Sequence, residues 1–395
     1  MPKRVRRTVI AAVIALVTVG ITTSANATTR QRLDSAALQQ AIDIQPGDQV
    51  AGVIARVREG DQRWHGQTAD SATGRSIPSN AEFRIGSISK TFEATLALQL
   101  TAQHRIDLNR TVQGYLPGLL PNRYRPITVR QLLNMTSGLP GVDEGAPDQA
   151  NDQLIAHRFD YQTLDQIIEG SLRPNQRPWP KPHFAPGTKQ EYSSLNYRIV
   201  AKLIEHVTGD SYADELTKRI VRPFNLSHTE SADHIRPMPH PYLHGYLTDR
   251  HSNLVDVSQQ AGDASSMIST MKDVDRFFTG LFTGKVLRPE QLEEMLTIPN
   301  VPYADTSNCI IGPSKGRACF GLGVERLELS HGITLWGKTG TDLGYGSAYF
   351  STLSGDTCVS YAVAQTQPNG GMPPTALRLA KVMGTAEACS PAEAA

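Results

Sequence analysis

Apolar residues dominate Val50 to Val57, Glu59-Gly60-Asp61 turns the chain, and Gln62 to Gln67 reads as a return strand, so this stretch predicts a β-hairpin. At Ser87 the pattern changes. Phe92, Ala94, Leu96, Ala97, Leu98 and Leu100 sit among good helix formers, with no proline or glycine before Gly114, and predict a helix that begins at Ser87. Between Gly141 and Pro186 the chain is rich in Pro, Asp, Gln and Asn and reads as loop, apart from a helix over Tyr161 to Ile168. After Pro186-Gly187-Thr188, the spacing of Ile199, Val200, Leu203 and Ile204 predicts a helix stopping at Gly209, with Tyr192 in the loop or first turn before it. Val274 to Phe282 and Pro289 to Leu296 read as further helices, so the middle of the chain is expected to be mainly helical.

Strand signals return in the last quarter. Gly321 to Leu329 alternates in part, Ile333 to Trp336 is β-forming, and Ser347 to Leu353 and Thr357 to Ala364 follow across glycine-containing turns. Thr375 to Met383 predicts a closing helix. The fold class is therefore α/β (α+β), with an antiparallel sheet built from both chain ends, flanked by helices and enclosing a helical insert. The sheet part is expected at about residues 45–86 plus 318–390 and the helical part at about 87–300.

The first residues add a compartment. Lys3, Arg4, Arg6 and Arg7, an uncharged apolar stretch from Val9 to Ile21, and Ala25-Asn26-Ala27 compose a secretory signal peptide over residues 1–27. The stretch is shorter than the roughly 20 residues that span a bilayer, so no stable membrane anchor is expected after cleavage and the protein is expected to be secreted. Of the 395 residues, 39 are Lys or Arg and 38 are Asp or Glu; losing the four leader cations takes the net charge from +1 to −3. A chain this close to neutral offers no basic stripe for nucleic acid. The four cysteines, Cys309, Cys319, Cys358 and Cys389, allow three disulfide connectivities, of which Cys309–Cys319 with Cys358–Cys389 is favoured because the first closes a short loop. No C-x-x-C or histidine cluster supports zinc.

Three short strings carry candidate chemistry: Ser87-Ile88-Ser89-Lys90, Tyr192-Ser193-Ser194 and Lys338-Thr339-Gly340. A serine hydroxyl needs a positioned base, and a lysine serves only where burial and nearby cations lower its pKa from roughly 10.4 toward 7. Each string has a rival reading. A second S-x-x-K match at Ser269-Thr270-Met271-Lys272 precedes a helix with Asp273 in place, so Ser269 is assigned to capping. Gly332 to Thr339 satisfies the phosphate-loop pattern G-x-x-x-x-G-K-[ST]. However, its intervening residues are β-formers and Thr341-Asp342-Leu343-Gly344 starts no helix. His244 and His331 have no carboxylate at triad spacing, and no G-x-S-x-G elbow is present. Trp336 is assigned to the core rather than the cleft.

In this order the strings resemble the S-x-x-K, Y-x-N or S-x-N, and K-T-G motifs of the serine penicillin-binding and class C β-lactamase superfamily. Phe83 to Lys90, Ile127 to Pro140 and Pro186 to Tyr197 extend the likeness, which is greatest to secreted serine D-alanyl-D-alanine carboxypeptidases. The resemblance implies a single β-lactamase/DD-peptidase-like catalytic domain over residues 28–395 that needs no metal or cofactor. It implies Ser87 as nucleophile, Lys90 as the group relaying its proton, Tyr192 as general acid or base, and Lys338 as part of the positive field. Thr339, Gly340 and Thr341 would line the substrate site, with backbone N–H groups of Ser87 and Thr341 forming the oxyanion hole. The expected substrates or inhibitors are peptidoglycan stem peptides and β-lactams. Class C-like β-lactamase, D-aminopeptidase and esterase activities share the mechanism, and a non-catalytic penicillin-binding sensor is the alternative from another class.

Two positions depart from the motifs. Ser194 stands where asparagine is expected, as a shorter substrate-binding group, and Asn196 is left as a cap or surface residue. Glu325, with Arg326 beside it, occupies the place of the carboxylate-binding arginine. Adjacent strand residues face opposite sides, so only one of them can face the cleft, and Arg326 is taken as the binding candidate.

Overall fold

Both ends of the chain meet in one antiparallel sheet, whose six strands run in the order Glu325–Glu328, Thr334–Asp342, Tyr345–Ser351, Thr357–Gln365, Val50–Glu59 and Gln62–Gln67. The computed structural model describes residues 33–121, 124–140, 151–172, 181–235, 237–263, 265–305, 308–309, 313–329, 332–367 and 373–383. The signal peptide expected over residues 1–27 lies outside them. Among the described residues, no helix is long and apolar enough to cross a membrane.

Alternation along Val50–Glu59 explains the layering, because successive strand side chains leave opposite faces. Val53, Ala55 and Val57 pack with Leu38 and Ile42 of helix Ser35–Ile42 and with Leu379 of helix Pro374–Val382. Ile54 faces the larger core, which the sheet shares with helices Ser89–Ala102 and Met271–Phe282. The first of these helices is buried on every side from Ser89 to Leu98, which is why its sequence shows no narrow apolar stripe.

Aromatic rings join the layers of that larger core. Phe92 stacks on Phe277 with centroids 3.7 Å apart, and Phe278 stacks on Tyr349 of the sheet at 4.3 Å. Phe277 is fully buried, so Phe277→Ala is expected to lower the unfolding free energy by about 3–5 kcal/mol. A urea titration that shows a loss below about 1 kcal/mol would remove this ring from the structural core.

Several boundaries differ from those read in the sequence. Helix Ser89–Ala102 begins two residues after Ser87, which lies instead in a 3-10 turn, Gly86–Ile88. The helix expected at Tyr161 to Ile168 runs over Leu164–Leu172, and Asn151–His157, expected as loop, is a helix. The mainly helical middle also holds short strands: Glu230–Ser231 and Met267–Thr270 form one sheet with Glu82–Arg84, which precedes it. Strands of two to four residues have too few positions to display a period. Thr270, not Ser269, caps helix Met271–Phe282 by accepting from the Asp273 N–H at 3.1 Å; Ser269 lies in the preceding strand, hydrogen-bonded to Thr229.

Cys309 and Cys319 form the expected disulfide. Cys389, the expected partner of Cys358, lies outside the described residues. Cys358 is buried beside Asp275, 3.9 Å from its carboxylate oxygen, and burial pushes the thiol up to about 11.

Candidate active site

Two glycines allow the Ser87 turn to abut the strand that carries Lys338. Gly86 has φ +53, and a Cβ there would lie 2.5–2.7 Å from Thr341 backbone atoms. A Cβ on Gly340 would lie 2.1 Å from the Ile85 carbonyl oxygen. No side chain fits either gap, so the backbones of residues 85–87 and 340–341 run against each other. The Ser347 hydroxyl donates to the same Ile85 carbonyl at 3.0 Å and ties the turn to the next strand.

Ser87 Oγ has a close neighbour on each of two sides. Lys90 Nζ stands 2.9 Å away and Tyr192 OH 2.7 Å away. Lys90 is reached from the first turn of its own helix, whereas Tyr192 arrives on the loop before helix Ser194–Thr208. Among the described residues, no histidine hydrogen-bonds to Ser87 Oγ; His244 pairs with Asp256 at 2.7 Å, and His331 lies outside those residues. Two ammonium groups flank the Tyr192 ring, Lys90 Nζ at 5.4 Å from its centre and Lys338 Nζ at 5.0 Å. Lys90 and Lys338 are both buried, at 7% and 3% exposure.

Lys338 lies within strand Thr334–Asp342, and the chain turns directly into strand Tyr345–Ser351 with no helix between, which excludes the phosphate-loop geometry. The neighbouring strand Glu325–Glu328 pairs only with Thr334 to Gly337. Beyond Gly337, the edge of the Lys338 strand therefore has no strand partner on that side among the described residues, and its backbone is placed to pair with an extended ligand. Trp336 is in the core, as expected.

The remaining expected positions divide. Thr339 is half-buried, Gly340 buried and Thr341 exposed, all on the Lys338 strand. Ser194 is buried at the start of its helix. Asn196, read as a cap or surface residue, is instead 1% exposed and accepts from the Ser137 hydroxyl at 2.7 Å. Of the Glu325-Arg326 pair, Glu325 is the residue that meets Lys338, with Oε2 3.9 Å from Nζ. Arg326 pairs instead with Glu328 at 3.3 Å.

Phe320 and Gln190 complete the wall, and neither was singled out in the sequence. The Phe320 ring lies 5.6 Å from that of Tyr192 and 5.3 Å from Lys338 Nζ. Gln190 is fully buried; its amide nitrogen donates to the Asn134 and Phe320 carbonyls, and its oxygen accepts from the Cys319 and Phe320 N–H groups. It fastens the disulfide segment behind the Tyr192 loop. Their signals were adjacency alone: Gln190 is two residues before Tyr192, and Phe320 follows Cys319.

A model of the β-lactamase family matches residues 35–383. Among solved structures, a D-stereospecific amidohydrolase from Streptomyces sp. is 31% identical, with a TM-score of 0.72 over 87% of this chain and 97% of that one. The D-amino acid amidase from Ochrobactrum anthropi SV3, complexed with L-phenylalanine amide, shares the fold at 23% identity, with a TM-score of 0.70 over 88% of this chain and 98% of its own. Among curated sequences, a teichoic acid D-alanine hydrolase of Staphylococcus aureus is 28% identical over 223 residues, covering 55% of this chain and 50% of that protein. The chain thus spans about half the length of such curated relatives. With fold, motif order and family match in agreement across residues 35–383, the chain belongs to the β-lactamase family and has the serine β-lactamase and penicillin-binding-protein fold.

Proposed function

We propose that this protein is an exported acyl-serine hydrolase that cleaves amide, ester or peptide bonds formed by the carboxyl group of a D-amino acid. The observation that carries the reading is the position of Ser87 Oγ between Lys90 Nζ and Tyr192 OH, at 2.9 and 2.7 Å. In acylation, Ser87 Oγ bonds to the carbonyl carbon while the bond to the leaving nitrogen or oxygen breaks. The serine proton passes through Lys90 or Tyr192 to the leaving atom. Water then attacks the ester, its proton returns to Ser87, and the D-amino acid departs. Backbone N–H groups of Ser87 and Thr341 would hold the oxyanion, an effect worth about 3 kcal/mol per donor.

The D-amino-acyl assignment is supported by the names of the relatives: a D-stereospecific amidohydrolase, a D-amino acid amidase and a teichoic acid D-alanine hydrolase. A penicillin-sensitive D-alanyl-D-alanine carboxypeptidase acting on peptidoglycan stem peptides is the narrower form of the same reading. It differs in requiring a leaving group with a free carboxylate. The full-length protein is expected to hydrolyse D-alanine amide and a D-alanine ester at least about 100-fold faster than the L-enantiomers, as an active site built for one configuration does. Chiral chromatography of the released amino acid tests this. Equal rates for both enantiomers would remove the D-amino-acyl assignment, and no turnover of any of the four would remove the hydrolase reading.

A further inference from the structure

We propose that Glu325 sets the charge of the leaving group, selecting uncharged amide and ester leaving groups over those that end in a free carboxylate. The inference deepens the functional reading above and rests on it. Glu325 opens the strand beside Lys338 and is 9% exposed. Its Oε2 lies 3.9 Å from Lys338 Nζ, and among the described residues no donor is within hydrogen-bonding distance of that oxygen. A buried carboxylate with an unsatisfied oxygen beside a cation is costly unless it offsets that charge. Burial raises the Glu325 pKa; Lys338 opposes the rise, as does a hydrogen bond with the Thr339 side chain.

The groups that would receive a substrate carboxylate are thus already engaged. Lys338 faces Glu325 and also donates to the Thr339 carbonyl and hydroxyl oxygens, each at 3.2 Å. Arg326, the neighbouring guanidinium, is paired with Glu328. The location is the leaving-group side. A leaving atom protonated by Tyr192 must lie within reach of its OH, and Lys338 sits over the Tyr192 ring, with Glu325 behind it. A carboxylate carried by that leaving group enters a space where the nearest cation is already matched by an internal anion, and the two carboxylates repel. An amide or an alcohol meets no such repulsion.

The test compares D-alanyl-D-alanine with D-alanyl-D-alaninamide, which share the acyl group and differ in the charge of the leaving group. Scission between the two alanines is followed by mass spectrometry with the full-length protein. The wild type is expected to cleave the amide with a kcat/KM about 10- to 100-fold above that for the acid, the range that Coulomb repulsion near a protein surface provides. Glu325→Gln is expected to narrow this ratio by about tenfold and Glu325→Arg to narrow it further. A merely structural role would change both substrates together and leave the ratio unmoved. The inference is overturned if the wild type cleaves the acid as well as the amide, or if the ratio is unaltered in both variants. Scission of neither compound by the wild type would overturn the hydrolase reading and this inference with it. A wild-type ratio near one overturns the inference by itself, so a variant that fails to fold leaves it falsifiable.

Discussion

Ser87→Ala is expected to lower kcat by about 10⁶-fold on any D-amino-acyl substrate that the wild type turns over, the loss seen when a nucleophile that acts with its base as a unit is removed. The substitution deletes the one oxygen that both Lys90 Nζ and Tyr192 OH approach within 2.9 Å. It deletes little else, since Ser87 is partly exposed and its turn is held through the backbone and the Ile85 carbonyl. The same variant is expected to form no adduct when incubated with a labelled penicillin and weighed intact, whereas the wild type gains one penicillin mass. Persistence of that mass would favour a penicillin-sensitive peptidase, and its rapid loss with antibiotic hydrolysis a β-lactamase. A variant that keeps more than about one thousandth of the activity would transfer the nucleophile's role to another group.

Tyr192→Phe carries the second-largest expected effect, a fall in kcat of about 10²- to 10⁴-fold, the usual contribution of a positioned general acid or base. The ring would remain between Lys90 and Lys338 and beside Phe320, so packing is preserved and the stability change is expected to stay near the roughly 1 kcal/mol of one lost hydrogen bond. The experiment also separates the two proton carriers. If Lys90 alone moves the proton, kcat falls less than about tenfold. If Tyr192 serves acylation and deacylation, single-turnover kinetics show both steps slowed and the penicillin adduct outlives that of the wild type.

Much of this site was legible before the fold was seen, because its groups are local strings with strong spacing constraints. Ser87 and Lys90 are three residues apart at a helix start, which sets both on one face whether the helix begins at Ser87 or at Ser89. Lys338 was readable as strand because Ile333 to Trp336 are β-formers, although pairing with Tyr345–Ser351 carries that strand on to Asp342. Helix Pro289–Leu296 was read to the residue because proline marks its start. What escaped was long-range. Nothing near Glu325 in sequence shows that its carboxylate, rather than the Arg326 guanidinium, meets Lys338, because strand alternation fixes only that the two diverge. Gln190 looked like any polar loop residue, and its burial follows from three segments closing over it. Asn196 was misjudged for the same reason: it lies in helix Ser194–Thr208, and its partner, Ser137, is 59 residues earlier in the chain.

The pairing of Val50–Glu59 with Thr357–Gln365 also orders events during synthesis. The first hairpin emerges early with one edge exposed, and its main partner is among the last segments to leave the ribosome. Until then the Ser87 turn has no Lys338 strand to pack against, and two-stranded hairpins are marginally stable by themselves. A nascent chain lacking its final quarter therefore lacks both the Lys338 strand and the central sheet partners of the first hairpin. Folding that waits on contacts between the two ends of a long chain is also slow.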